Sequence, residues 1–163
     1  MVASTGDPLL VEDALEAIAT RLLPLASVIT PNLPEASHLL GRTIEQPEEQ
    51  NRAAQELSEK YDAACYLKGG HHESHGKHRD VLAISDLHET FEAPHINCEQ
   101  SHGTGCTLAA ALTGGLAKGL SIPEAASLAH QFTHDALKNA LTWNVPYSVQ
   151  KISHLAQTQK FER

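Results

Sequence analysis

At 163 residues the chain has the length of one ordinary domain, enough to bury a core without help from a metal or a disulfide. Twelve lysines and arginines against 20 acidic residues leave a net charge of -8 with no basic run, which argues against a nucleic acid backbone or an anionic membrane as a partner. Apolar residues make up 41% of the chain in runs too short for a membrane-spanning helix, and residues 1–7 carry no basic stretch leading into an apolar one, so no secretory signal is expected.

Residues 8–23 place Leu9, Leu10, Ala14, Leu15, Ile18, Leu22 and Leu23 at helical spacing, with Glu12, Asp13 and Glu16 outward. Ser27-Val28-Ile29-Thr30 reads as a short buried strand stopped by Pro31. A short helix is expected over 34–40, closed by Gly41, and a polar-faced one over 47–61, with Glu48 and Glu49 at its positive end. Residues 63–67 form a second buried strand, ended by Lys68-Gly69-Gly70. The stretch 71–79 is polar and turn-like, and 81–84 and 88–91 flank Ser85-Asp86-Leu87 as a hairpin. Two helices follow, 105–116 and 123–141, and the weakly periodic end reads as a surface tail or short helix.

This order predicts an α/β layered domain with parallel central strands and one antiparallel hairpin. With only two or three central strands, such a sheet leaves hydrophobic edges uncovered, so part of it is expected to be missing. The three cysteines, Cys65, Cys98 and Cys106, contain no Cys-x-x-Cys pair and cannot all pair internally, which suits reduced thiols in a cytoplasmic protein.

Three segments have residues suited to chemistry. In Ser101-His102-Gly103-Thr104-Gly105-Cys106-Thr107, the glycines let the backbone approach a ligand closely, and the helix that begins there aims N–H groups and its positive end at the loop. Phosphate is the natural guest, and Cys106 in the first turn is placed where the helix dipole favours thiolate. Taken alone, the same residues are explained more simply by an N-capping loop with a small buried cysteine. In Thr30-Pro31-Asn32-Leu33-Pro34-Glu35, Asn32 and Glu35 emerge at the strand's C-terminal end, where α/β sheets bind ligands. An amide and a carboxylate there suit a hydrated Mg²⁺, while a capping box explains the same pair without a ligand. Lys68-Gly69-Gly70 ends a strand on that edge and can offer a point charge to a polyphosphate.

His71, His72, His75 and His78 raise the question of zinc, but glycines break any helix that could align them and no cysteine pair lies at finger spacing, which leaves a solvated histidine-rich loop. Cys106 with His102 as nucleophile and base would make a cysteine hydrolase or transferase. With two glycines between them and no group to orient the histidine, this is a minor alternative.

Taken in order, Thr30-Pro31-Asn32-Leu33-Pro34-Glu35-Ala36, Lys68-Gly69-Gly70-His71 and His102-Gly103-Thr104-Gly105-Cys106-Thr107-Leu108 carry a specific resemblance. So does Ser4-Thr5-Gly6-Asp7-Pro8-Leu9-Leu10. The chain resembles the hydroxymethylpyrimidine/phosphomethylpyrimidine kinases of thiamine biosynthesis, in the ribokinase-like superfamily. The resemblance implies a three-layer α/β fold with a mostly parallel central sheet. It also implies ATP-dependent phosphorylation of 4-amino-5-hydroxymethyl-2-methylpyrimidine and then of its monophosphate. Gly103, Thr104 and Gly105 would form the anion hole around the transferred group. Cys106 would stand where many ribokinase-like enzymes carry an aspartate base. Lys68, Gly69, Gly70 and Thr107 would serve the nucleotide, and Asn32 with Glu35 would act through Mg²⁺ and its waters.

The resemblance further implies a homodimer in the full-length form. It also implies a large N-terminal portion with a Gly-rich motif, a pyrimidine-reading glutamine and the opening strands, none of which is in this sequence. The expectation is therefore the nucleotide-binding portion of such a kinase over 1–142, truncated at its N-terminus, with a tail over 143–163. The alternatives are an inactive fragment that binds nucleotide only and a related pyridoxal-type vitamin kinase.

Overall fold

A computed structural model describes residues 11–44, 46, 48–70, 77–96, 103–143 and 152–154, and the chain divides into two units, Met1–Pro94 and His95–Arg163. The division falls inside the portion expected over 1–142. The stretch 4–10, Cys98, His102 and the histidines at 71, 72 and 75 lie outside the described residues.

The first described element is α1 (Glu12–Ala17), which ends short of Leu23, where the helix expected over 8–23 closes. Pro24 supplies the reason. It has no N–H to give and its ring crowds the carbonyl four residues back, so the α pattern cannot run through it. The chain widens into a π-helical turn over Ile18–Leu22, with the Leu23 N–H bonded to the Ile18 carbonyl, then tightens into a 3-10 turn over Leu23–Leu25. After β1 (Val28–Ile29), α2 (Leu33–Leu40) ends as expected at Gly41, which adopts a left-handed conformation. In α3 (Glu49–Tyr61) the buried residues fall at 50, 53, 54, 57, 58 and 61, the stripe of a helix lying on a sheet. The C-terminal end of α2 is tied to α3 by the Lys60 ammonium, which donates to the Leu39 carbonyl at 2.6 Å.

β2 (Ala64–Lys68), β3 (Lys77–Ile84) and β4 (Leu87–Pro94) complete a sheet of order β1-β2-β3-β4. Among the described strands of this sheet β1 and β2 pair in parallel, and β2–β3 and β3–β4 are antiparallel. The mostly parallel sheet therefore does not describe these strands. The hairpin is longer than expected, because 77–79 belong to β3 rather than to a polar turn. One sheet face, Cys65 and Leu67 with Val81 and Ala83, packs with Leu57, Ala53, Ala54 and Tyr61 of α3 and with Leu33, Ala36 and Leu39 of α2. The other carries Tyr66, which stacks on Phe91 with ring centroids 5.6 Å apart.

In the second unit, α4 (Thr104–Ala117) and α5 (Ile122–Lys138) form an antiparallel-type helical hairpin turned at Lys118–Gly119. Small residues make the contact close: a Cβ at Gly115 would lie 3.0 Å from that of Ala125. The Ser121 N–H donates to the Glu124 carboxylate at 2.9 Å and so starts α5. Leu141, expected at the end of this helix, instead begins β5 (Leu141–Trp143), which pairs antiparallel with β6 (Ile152–His154) in the stretch expected as a tail or short helix.

Candidate functional site

The parallel pair ends on one edge. Beyond β1 the chain passes through Thr30 and Pro31, and Asn32 bridges to Lys68 at the end of β2, with the Lys68 N–H donating to the Pro31 carbonyl at 2.9 Å. Asn32, Glu35, Lys68, Gly69 and Gly70 thus share the C-terminal edge of β1 and β2, as their sequence positions predict. Among the described residues the Lys68 ammonium has no hydrogen-bond or ion-pair partner, so its charge is available to an incoming anion. A cavity of about 290 Å³ opens beside β1, bordered by Leu23, Ile29, Pro31 and Glu35.

Asn32 and Glu35 form a full capping box. The Asn32 side-chain oxygen accepts from the Glu35 N–H at 2.7 Å, and a Glu35 carboxylate oxygen accepts from the Asn32 N–H at 2.9 Å. The pair therefore starts α2 and fixes the loop where β1 ends. Its donor set, one carboxylate and one amide, fits a role toward the water shell of a divalent cation. Asn32→Ala is expected to lower stability by about 1 kcal/mol through loss of the cap, read from urea unfolding.

Behind the Lys-Gly-Gly turn lies a polar network that sequence reasoning missed. Asp80 is 1% exposed, and its carboxylate accepts from the Gly69 N–H, the Tyr66 hydroxyl and His78 Nε2, each at 2.9 Å. His78 Nδ1 lies 3.1 Å from the Gly70 carbonyl. On the opposite side, buried Gln50 of α3 donates to the carbonyls of Leu67 and Arg79, both at 3.1 Å, and accepts from the Arg79 guanidinium at 3.0 Å. Burial, then the Asp80 charge, pushes the Tyr66 hydroxyl well above its ordinary range, so it serves as a fixed donor. Burial would lower the pKa of His78, but its hydrogen bond to Asp80, the charge of Asp80 and the Gly70 carbonyl together raise it. The one visible sign in the sequence is an aspartate directly ahead of the apolar Val81-Leu82-Ala83.

The remaining candidates belong to the second unit. Gly103 precedes α4 with φ of 90°, a left-handed conformation that favours glycine, and as N-cap it has no side chain with which to cap the helix. The Thr107 N–H and hydroxyl both donate to the Gly103 carbonyl, at 2.9 and 3.0 Å, which fixes the loop against the first turn. The N–H groups of Gly105 and Cys106 in that turn have no intrahelical acceptor and give the helix its positive end. Cys106 is exposed, whereas Cys65 is buried in the sheet, its thiol pushed up to about 12 by burial.

Residues 1–149 match the family model described as phosphomethylpyrimidine kinase. The chain belongs to that family. The hydroxymethylpyrimidine/phosphomethylpyrimidine kinase of Rhizobium meliloti is 42% identical over 141 residues, which are 86% of this chain and 53% of the relative. The enzyme of the same name from Bacillus subtilis is 37% identical over 141 residues, 86% of this chain and 52% of the relative. Among solved structures, the pyridoxal kinase of Staphylococcus aureus in complex with AMP-PCP and pyridoxal superposes with a TM-score of 0.82 at 30% identity, covering 93% of this chain and 55% of that one. The fold is thus the ribokinase-like α/β fold, and the chain spans about half the length of the curated relatives it matches.

Proposed function

We propose that the chain supplies the nucleotide-binding and phosphoryl-transfer half of an ATP-dependent kinase. Its acceptors are 4-amino-5-hydroxymethyl-2-methylpyrimidine and the monophosphate of that alcohol. The observation that carries the reading is the start of α4: a left-handed glycine at the N-cap that has no side chain of its own, followed by a first turn whose N–H groups give the helix its positive end. That arrangement favours an anion, and phosphoryl transfer asks for positioning and charge stabilisation more than for covalent chemistry. In this reading Gly103, Thr104 and Gly105 hold the migrating phosphoryl group, with Thr107 bracing the loop. Cys106 takes the proton of the attacking hydroxyl.

On the sheet edge, the Lys68 ammonium offsets phosphate charge, and Gly69 and Gly70 keep the approach open. Asn32 and Glu35 would hold the waters of Mg²⁺, which when bound supplies charge neutralisation across the phosphates. A small-molecule alcohol and ATP are then the partners, with a homodimer in the full-length form and a cytoplasmic location.

Likeness to a pyridoxal kinase supports a second acceptor, a pyridine alcohol, on the same phosphate machinery. Coverage of half of each relative supports a third reading, a chain that binds nucleotide without turnover.

Calorimetric titration with ADP and Mg²⁺, followed by product analysis with ATP and each alcohol, tests these readings. Diphosphate product from the pyrimidine is expected. Binding without product would favour the fragment reading, and no ADP binding at all would remove the proposal. Lys68→Ala is expected to weaken ADP by about tenfold, equivalent to about 1.4 kcal/mol. Unchanged affinity would take Lys68 out of the site.

A further inference from the structure

We propose that His78 is a proton-operated latch on the Lys68-Gly69-Gly70 turn: as imidazolium it ties the Gly70 carbonyl to the Asp80 carboxylate, and loss of its proton releases one of the two ties. The geometry carries this. Both ring nitrogens face acceptors, Nε2 the Asp80 carboxylate at 2.9 Å and Nδ1 the Gly70 carbonyl at 3.1 Å. Neutral imidazole has one donor and one acceptor, so only the imidazolium serves both contacts. The same Asp80 oxygen that meets His78 also accepts from the Gly69 N–H, so imidazole, carboxylate and turn form one connected cluster. His78 touches no reacting group; it acts through the turn and is a positioning residue.

The surroundings favour the charged form. From its own strand His78 faces Asp80. From β2 it shares a face with Tyr66 and Lys68, of which Tyr66 donates to Asp80 and Lys68 brings a positive charge. On β4 the residue opposite is Ala93, and the flanking charges, Lys77 of β3 and Glu92 of β4, pair with each other at 2.8 Å. Arg79 lies on the other face, bonded to Gln50 and Asn51 of α3.

The sign follows from the raised pKa of His78 in the folded chain. The latch contributes fully below the ordinary value of 6.5 and is lost as pH climbs through the higher folded value. The consequence for nucleotide binding, weaker hold at alkaline pH, rests on the phosphate role proposed for Lys68.

The test is an NMR titration of the histidine rings in the full chain, with hydrogen exchange of the Gly69 and Gly70 amides measured at each pH and corrected for the intrinsic rate. His78 is expected to titrate above 6.5. Exchange at the two glycines is expected to speed up by about fivefold through that midpoint, the size of one hydrogen bond's net contribution. In His78→Gln, the pH-dependent step should vanish. A His78 midpoint at or below the ordinary value overturns the latch whatever the variant does, and so does an identical exchange profile in wild type and variant. ADP affinity measured over the same range separates the two readings. A flat affinity beside a raised midpoint and a pH-dependent exchange step leaves the latch standing and removes Lys68 from the phosphate site.

Discussion

Gly69→Ala is expected to cost about 3 kcal/mol or more and to abolish nucleotide binding, a loss out of proportion to one methyl group. A Cβ built on Gly69 collides with the backbone carbonyl oxygen of Arg79 and comes within 3.1 Å of the Gln50 amide. Neither neighbour can yield. The Arg79 carbonyl is held by Gln50, and Gln50 is held in turn by the Leu67 carbonyl and the Arg79 guanidinium. Overpacking against backbone reaches the upper end of the usual cost or beyond, because strands and helix have to separate to relieve it. Urea unfolding of the variant measures the loss. Gly114→Ala is the control, since it adds a methyl in open space within α4 and should be neutral or slightly stabilising. If the two variants unfold alike, the close approach at Gly69 is not what fixes the turn.

With Cys106 as the proposed general base, Cys106→Ala in a full-length context is expected to lower turnover by about a hundredfold or more while leaving ADP affinity within about twofold. Its place in the first turn of α4 gives the side chain the helix's positive end without making it a cap. Removing the sulfur leaves the backbone donors of Gly105 and Cys106 where they were. Ground-state binding should therefore survive while proton transfer suffers. Serine in its place should recover little, since a hydroxyl is a far weaker base at neutral pH. Turnover unchanged in the alanine variant would remove Cys106 from the chemistry and leave the loop as an anion cradle alone.

Where signals are local, sequence and structure agree closely. The span from Asn32 to Gly41 holds its own cap, its own helix and its own left-handed stop, so nothing distant was needed to read α2 or to place Asn32 and Glu35 on the sheet edge. Lys68 and the Gly103–Cys106 turn were legible for the same reason. The start of β3 was not. Lys77-His78-Arg79-Asp80 looks like a turn because every residue is polar, and it becomes strand because its partners lie far away in sequence. Arg79 reaches Gln50 and Asn51 on α3, and Asp80 reaches Tyr66 on β2 and Gly69 in the turn just after it. No periodicity encodes those pairings. The antiparallel share of the described strands was likewise not legible, since alternation of helices and strands predicts crossovers but does not show that a long β3–β4 hairpin also pairs antiparallel with β2. The widened turn before Pro24 was readable in principle from the proline itself.

The two described thiols are unlike in a way that has practical use. Cys65 is sealed between strand neighbours and held protonated, whereas Cys106 stands open at the mouth of α4. An electrophilic dye will discriminate between them, coupling at the helix mouth and sparing the sheet. With Cys98 replaced by serine, a fluorophore installed there would report arrivals and departures of an anion in real time, and protection from alkylation by added nucleotide would footprint the loop without any structure of the bound state.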